Sequence, residues 1–246
     1  MTRSRTQGET TDTPANSSNR ARSRGAGNGM SRRQAGAALL GGATLAVMPS
    51  LVQAAARESR ALPPSRKTGG APLMEALARR RSTREFSERT LPAQVLSDLL
   101  WAAYGINRPS GDRTAPYWRH IMVIDVYAAM ADGVWLYDPS RHALVKELSD
   151  DIRAQTGLQD FVGRAPLDLV YVAHGDRMRD VGPAERRLYA SVDAAFIGQN
   201  VYLYCASESL ATVFRGAVDY PKLGAAMRLD ASSFVTFAQT IGYPKG

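Results

Sequence analysis

Residues 79–86 read RRRSTREF, a stretch in which four arginines surround a Ser-Thr pair. The preceding residues have a helical apolar pattern, which ends at these arginines. Like charges this close repel one another, and each is most stable in water or beside an anion. The forked donors of arginine suit phosphate oxygens, and the Ser82 hydroxyl and nearby main-chain N–H groups could add to them. Two interpretations follow: a phosphate-binding turn, or a solvated basic helix end that interacts with the helix dipole.

The N-terminal part of the chain differs from the rest in composition. Residues 1–29 contain almost no large apolar side chain and are predicted to be a disordered extension. Residues 30–56 contain the pair Arg32-Arg33, an apolar run and a small-residue end, which is the order of an export signal of the twin-arginine type. The alternative is a membrane helix, since the run is about 18 residues long. Its many alanines and glycines favour removal, so we expect a periplasmic or otherwise exported protein without stable membrane insertion.

The basic charge of the chain is concentrated in this leader. Seven arginines against two carboxylates in residues 1–56 account for +5 of the formal net charge of +8. The remainder is weakly basic, so nothing indicates a nucleic-acid partner. The single cysteine, Cys205, excludes an intramolecular disulfide and lies in an apolar helical pattern, where a buried side chain is expected.

The remaining residues read as a linker, 57–71, followed by one folded domain, 72–246. Helical patterns cover 74–82, 92–105 and 184–209. Strand patterns cover 120–129, 165–174 and 232–244, and a hairpin is predicted over 133–148. Helices and strands that alternate irregularly around a hairpin predict an α+β fold rather than a doubly wound parallel sheet.

Few residue patterns in this domain suggest chemistry performed by side chains alone. The three histidines (His120, His142 and His174) are not at metal-ligand spacing with cysteines or carboxylates, so no metal site is expected. GxGxxG, P-loop and GxSxG motifs are also missing. By elimination, catalysis would depend on a bound cofactor, which makes the arginine stretch informative.

Five segments in order resemble the FMN-dependent nitroreductase family over residues 72–246, more narrowly its branch that includes flavin dehydrogenases acting on thiazoline and oxazoline rings in peptides. The segments are RRSTREF, LSDLLWAAYGINR, RTAP, FIGQNVYLYCASESLATVFRG and QTIGYPKG. The resemblance implies a mostly antiparallel central sheet flanked by helices, an intertwined homodimer with FMN between the subunits, and an oxidoreductase whose chemistry rests on the flavin rather than on catalytic side chains.

The resemblance also implies specific cofactor contacts. The phosphate and the polar end of the flavin would meet Arg80, Arg81, Ser82 and Arg84, with Lys245 supplying further charge. Pro116 and Tyr117 match the loop along the isoalloxazine ring. Val213, Arg215 and Gly216 belong to a segment, LATVFRG, that matches the loop on the other side of the flavin, where main-chain N–H groups would meet N5 and O4.

The long helix 184–209 would form much of the dimer interface. The polar pair Gln199 and Asn200 in this helix would either satisfy that interface or cap the flavin, and the first is favoured because buried amides mostly hydrogen-bond locally.

One loop departs from the family pattern. After RTAP the family has small residues, whereas this chain has Tyr117, Trp118, Arg119 and His120. Either Tyr117, Trp118 and His120 line a remodelled substrate pocket, or the loop has shifted and its rings pack elsewhere.

The sequence therefore predicts an exported FMN-dependent oxidoreductase that transfers a hydride or an electron pair between the flavin and a small organic substrate, with the electron donor or acceptor unknown. The alternative is a non-catalytic flavin- or ligand-binding protein on the same fold, with a remodelled pocket at 117–120.

Overall fold

The computed structural model describes residues 57–246, so the predictions for 1–29 and 30–56 lie outside the described residues. A seven-stranded sheet forms the centre, with strand order β1-β4-β3-β2-β5-β7-β6 and antiparallel pairing throughout. The strands are β1 (Ser59–Ala61), β2 (Ile124–Met130), β3 (Gly133–Asp138), β4 (Ala143–Leu148), β5 (Leu167–His174), β6 (Ala211–Arg215) and β7 (Ser233–Gly242). The predicted α+β class with an antiparallel sheet is confirmed, as is the hairpin, which is β3-β4.

Four helices flank the sheet: α1 (Leu73–Arg79), α2 (Ala93–Tyr104), α3 (Pro183–Ser207) and α4 (Tyr220–Ala226). Both α2 and α3 follow the predicted boundaries closely, because proline begins each pattern and an apolar stripe continues it. Within residues 57–246, no helix is both long enough and apolar enough to span a bilayer.

The core lies on both faces of the sheet. One face packs against α2 and α3 through Leu99, Leu100 and Ile197, and the other packs against α4 through Leu223. Strand β5 is buried on both faces, as its continuous apolar sequence predicts. Cys205 is buried in α3 as expected, and this burial raises the pKa of its thiol.

The structure differs locally from the prediction in several segments, and helix α4 lies where no helix was predicted. The first helix ends at Arg79 rather than residue 82, because Thr83 N–H bonds the carbonyl of Thr212 and holds the chain extended. The predicted linker 57–71 contains strand β1, which pairs with β4 through main-chain hydrogen bonds. The side chains of β1 are exposed, so the sequence of this strand has no apolar pattern. The segment LATVFRG, predicted to be a loop, is strand β6, held by its antiparallel pairing with β7.

Candidate functional site

The arginine stretch lies in an extended segment between α1 and α2, where it packs against the C-terminal half of α3. The Ser82 hydroxyl is 2.7 Å from the hydroxyl of Tyr202, and the Arg80 guanidinium lies 5.2 Å from the centre of the same ring. The Tyr202 hydroxyl also accepts a hydrogen bond from Phe214 N–H at 2.9 Å. One tyrosine of α3 thus positions two of the predicted phosphate-binding residues beside β6.

The structure brings Arg84 and Lys245 together at one cavity of about 640 Å³, which we call the Arg84 cavity. Two contacts bring the chain end here: an isolated bridge between Phe86 and Pro244, and a hydrogen bond from Lys245 N–H to the carbonyl of Glu85 at 3.3 Å. The lining residues are Arg84, Glu85, Phe86, Ser87, Glu88, Phe161, Arg164, Lys245 and Gly246. Arg84 and Lys245 supply two cationic donors that suit a phosphate, in a lining that also contains Arg164 and the carboxylates of Glu85 and Glu88.

Arg81 is separated from this group. In extended backbone successive side chains point in opposite directions, and Arg81 lines a different cavity, of about 330 Å³, together with Arg79 and Thr83. The sequence prediction grouped Arg81 with Arg80, Ser82 and Arg84, but the alternation places it on the other side of the segment.

Strand β6 presents its main chain differently from the predicted loop. On its outer edge, the Thr212 carbonyl accepts from Thr83 N–H and Phe214 N–H donates to Tyr202. By the alternation of an antiparallel ladder, the main-chain groups of Val213 and Arg215 face β7. The side chains of Val213 and Arg215 are also buried. Gly216 is exposed just beyond strand β6, so its main chain lies outside the hydrogen-bond ladder between β6 and β7. Of the three FMN contacts predicted in this segment, Gly216 is the one with this property.

The Arg215 side chain is part of a buried ion-pair network. Its guanidinium donates to Asp168, to Thr240 and to both oxygens of Thr156, at distances between 2.9 and 3.2 Å. Burial raises the pKa of Asp168 even though the guanidinium opposes that change. The network fixes the end of β6 against β5 and the loop around Thr156.

The aromatic loop after Pro116 packs against its own chain. Trp118 stacks on Tyr189 of α3 with ring centres 5.6 Å apart, and Tyr117 meets Tyr104 edge-on at 6.4 Å. Pro116 and His120 are exposed. Of the two interpretations, the structure has the rings packed on neighbouring side chains. The roles predicted for Pro116, Tyr117, Trp118 and His120 toward cofactor and substrate stay predictions.

A buried carboxylate holds this loop in place. Asp193 of α3 accepts a hydrogen bond from Trp118 N–H at 2.9 Å. Burial raises the pKa of Asp193 to about 6. On the outer side, hydrogen bonds from Ser110 and Tyr117 lower the pKa of Asp112.

The two members of the polar pair of α3 differ in exposure within the single chain. Gln199 is exposed, and Asn200 is half-buried with its amide 3.5 Å from the carbonyl of Ala103. Their roles at a dimer interface or toward the flavin stay predictions. Within residues 57–246, no group of three or more His, Cys, Asp or Glu side chains is arranged to hold a metal ion.

Three residues of the site region escaped sequence analysis. Arg164 is a lone arginine in a loop, Tyr202 reads as one more apolar position of α3, and Asp168 lies in an apolar strand pattern. The signal that would have revealed Asp168 is a charged residue inside an otherwise continuous apolar strand, because such a group needs a buried partner.

Comparison with known proteins identifies the family. The model of the Nitroreductase family matches residues 77–243, so the chain belongs to the nitroreductase family. A Methanocaldococcus jannaschii protein assigned to the nitroreductases is 32% identical over 155 residues, which are 59% of this chain and 78% of that protein. A crystal structure from Ralstonia eutropha JMP134, also assigned to the nitroreductases, is 43% identical, with a TM-score of 0.74 over 78% of this chain and 92% of its own.

A more distant structure shares the fold. The NADPH:FMN oxidoreductase of Vibrio harveyi, solved with NAD+, is 19% identical, with a TM-score of 0.53 over 71% of this chain and 69% of its own. At this identity the likeness concerns the fold alone.

Proposed function

We propose that the protein is an FMN-dependent oxidoreductase that exchanges a hydride or an electron pair with a small organic substrate. The observation that carries the proposal is the meeting of Arg84 and Lys245 at the Arg84 cavity, in a chain of the nitroreductase family. The name of the Vibrio harveyi relative, an NADPH:FMN oxidoreductase, supports the choice of flavin.

The residues at this cavity fit the phosphate of FMN. Arg84 and Lys245 approach from two chain segments that a β-bridge joins, so their spacing is set by main-chain pairing rather than by flexible side chains. Arg80 and Ser82, both held by Tyr202, extend the donor set toward β6. Arg81 lines the separate cavity that also contains Arg79 and Thr83. Its side chain would have to turn to the other side of the extended segment to contact the phosphate. When bound, FMN supplies the hydride or electron-pair transfer.

The protein is further proposed to act as a homodimer. The arginine stretch contacts Tyr202 near one end of α3, and the aromatic loop contacts Tyr189 and Asp193 toward the other. At 1.5 Å per residue these contacts lie about 14–20 Å apart along the helix. Two copies of α3 crossing antiparallel near Phe196 would bring the arginine stretch of one subunit beside the aromatic loop of the other.

The exposed surface of α3 supports this arrangement. Leu188, Val192 and Phe196 follow one another at four-residue steps and are among the exposed large apolar side chains. Residues four apart share one helix face, so they form a continuous apolar stripe at the point where the crossing is proposed. Leu73, Met74 and Leu77 of α1 add exposed apolar surface, and α1 packs against α3.

Export by a twin-arginine signal and a periplasmic location complete the proposal. A folded export route suits a protein that binds its cofactor before crossing the membrane. Fractionation of cells that express the full chain and a variant with Arg32 and Arg33 both changed to lysine tests the location. Periplasmic protein for the first and cytoplasmic protein for the second are expected; equal distribution contradicts export.

The function is tested by the spectrum of the purified full-length protein and by the mass of its released chromophore. We expect a yellow protein that releases FMN, bleaches under anaerobic chemical reduction, and returns its electrons to a quinone or a nitroaromatic compound. A colourless protein that does not take up added FMN contradicts the proposal. A yellow protein whose flavin exchanges no electrons with any acceptor supports the non-catalytic alternative.

A further inference from the structure

A second cavity, of about 610 Å³, adjoins the Arg84 cavity. None of the residues predicted to contact FMN lines this second cavity. We call it the β1 cavity. It is enclosed by β1 and the residue after it, the start of α2, the turn between β2 and β3, and the loop that leads into β5. Its formation depends on β1, the strand that sequence analysis read as a linker.

The β1 cavity opens to the surface and has the volume of a ligand site, since such sites commonly measure roughly 300–1,000 Å³. Its walls include the buried side chains of Leu62, Leu96 and Leu167, together with Leu91 and Met130. An apolar surface of this kind favours the hydrocarbon part of a ligand.

Charged groups also line the cavity, and most of them are already paired. Arg60 donates to Asp132 at 2.6 Å and lies over the Trp135 ring at 4.2 Å. Arg153 donates to Asp151 at 2.7 Å and to the carbonyl of Ala165 at 2.8 Å.

Arg164 is the cation left for a ligand. It forms no ion pair with any of the residues 57–246 and is exposed. Arg60 and Arg153 already have the counter-charges of Asp132 and Asp151, so Arg164 offers one positive charge to a ligand. A dianion is disfavoured, since its second charge would meet the carboxylates of Glu88 and Asp132 in the lining.

We propose that the β1 cavity binds a monocarboxylate with an apolar body, such as a medium-chain fatty acid. The hydrocarbon part lies against Leu62, Leu96 and Leu167, and the carboxylate pairs with Arg164. Arg164 and Glu88 also line the Arg84 cavity, so the two cavities share one wall, while the apolar walls belong to the β1 cavity alone.

The proposal is tested by isothermal titration of the purified full-length protein with decanoate and with 1-decanol. We expect saturable binding of decanoate to one site per chain. Arg164→Gln should weaken decanoate binding about tenfold or more, because one charge-assisted hydrogen bond is lost, and should leave 1-decanol binding within about twofold. Arg141→Gln, which removes an exposed arginine outside this cavity, is the matched control and should change neither ligand.

A second variant fills the cavity itself. Ala131 is an exposed turn residue that lines the β1 cavity and not the Arg84 cavity, so Ala131→Trp should abolish binding of both ligands and leave the FMN content unchanged. Absence of saturable decanoate binding to the wild-type protein overturns the proposal. Full binding by Ala131→Trp, or an equal loss of both ligands in Arg164→Gln, also overturns it. FMN content reports the proposed function separately, so either can fail alone.

Discussion

Arg215 donates a hydrogen bond to Asp168 Oδ1 at 2.9 Å, joining β6 to β5 across β7, with both side chains almost completely buried. Thr240 of β7 lies between them and accepts from the same guanidinium. Asp168→Asn leaves a buried guanidinium without its counter-charge and should lower the free energy of unfolding by about 3–5 kcal/mol. Urea denaturation followed by circular dichroism measures this.

The double variant Asp168→Leu with Arg215→Met separates pairing from packing. Replacing both charges with apolar groups of similar size removes the desolvation penalty together with the attraction. The free energy of unfolding should therefore lie within about 1–2 kcal/mol of the wild-type value. A double variant as unstable as Asp168→Asn contradicts the account of the network.

Asp193 gives the stability a specific pH dependence. Its pKa is raised to about 6 by burial, whereas an unfolded aspartate titrates near 4, so the folded protein holds this proton more tightly. The stability that protonated Asp193 contributes is therefore present at acid pH and lost as the pH rises through about 4–6.

Asp193→Asn keeps an oxygen for Trp118 N–H and removes the ionisation. The free energy of unfolding of the variant, relative to that of wild type, should increase by about 1–3 kcal/mol when the pH is raised from 4.5 to 7.5. Denaturation of both proteins at both pH values measures this. Asp150→Asn, at an exposed carboxylate, is the control and should show a flat difference. If the difference in free energy of unfolding between Asp193→Asn and wild type is also independent of pH, burial does not raise the pKa of Asp193.

Two glycines should respond oppositely to alanine. A Cβ on Gly198 of α3 would lie 2.5 Å from the Phe214 ring, whereas a Cβ on Gly224 of α4 would meet nothing within 4 Å. Gly198→Ala should therefore destabilise by about 1–2 kcal/mol through forced movement of the ring, and Gly224→Ala should stabilise by about 0.5–1 kcal/mol through helix propensity. Thermal unfolding compares them; stabilisation by both would show that α3 has room at Gly198.

The apolar stripe on α3 makes the dimer testable. Phe196→Glu puts a charge at the proposed crossing of two helices and should halve the mass measured by light scattering, because burying an unpaired carboxylate is costly. Leu158→Glu makes the same chemical change at an exposed apolar residue of a loop, and should leave the mass unchanged. A monomeric wild-type protein, or a dimeric Phe196→Glu variant, contradicts the proposed crossing.

Local pattern was sufficient to predict most of the fold. The 25-residue helix α3, the buried strand β5 and the β3-β4 hairpin each repeat their apolar period over enough residues to be recognised. Strand β1 could not be predicted, since it has three exposed residues and is defined by hydrogen bonds to β4, a relationship between distant segments.

The site was predicted in its residue types more than in its arrangement. RRSTREF identified Arg84, and the chain end identified Lys245, but the cavity they share depends on the bridge between Phe86 and Pro244. Arg164 completes that cavity from a loop with no motif of its own. Arg81 was grouped with its neighbours because sequence adjacency does not show which side of an extended segment a side chain faces.

The FMN content of a charge-neutralised Arg84 cavity decides whether the cations of this cavity hold the cofactor. Arg84→Gln with Lys245→Gln removes two of its cations, and Lys222→Gln with Arg228→Gln removes two exposed cations from the region of α4 as the matched control. The first variant should purify without flavin and bind added FMN about a hundredfold more weakly, because two charge-assisted hydrogen bonds are lost, while the control should stay like wild type. Equal FMN content in wild type and both variants contradicts this role of the cations.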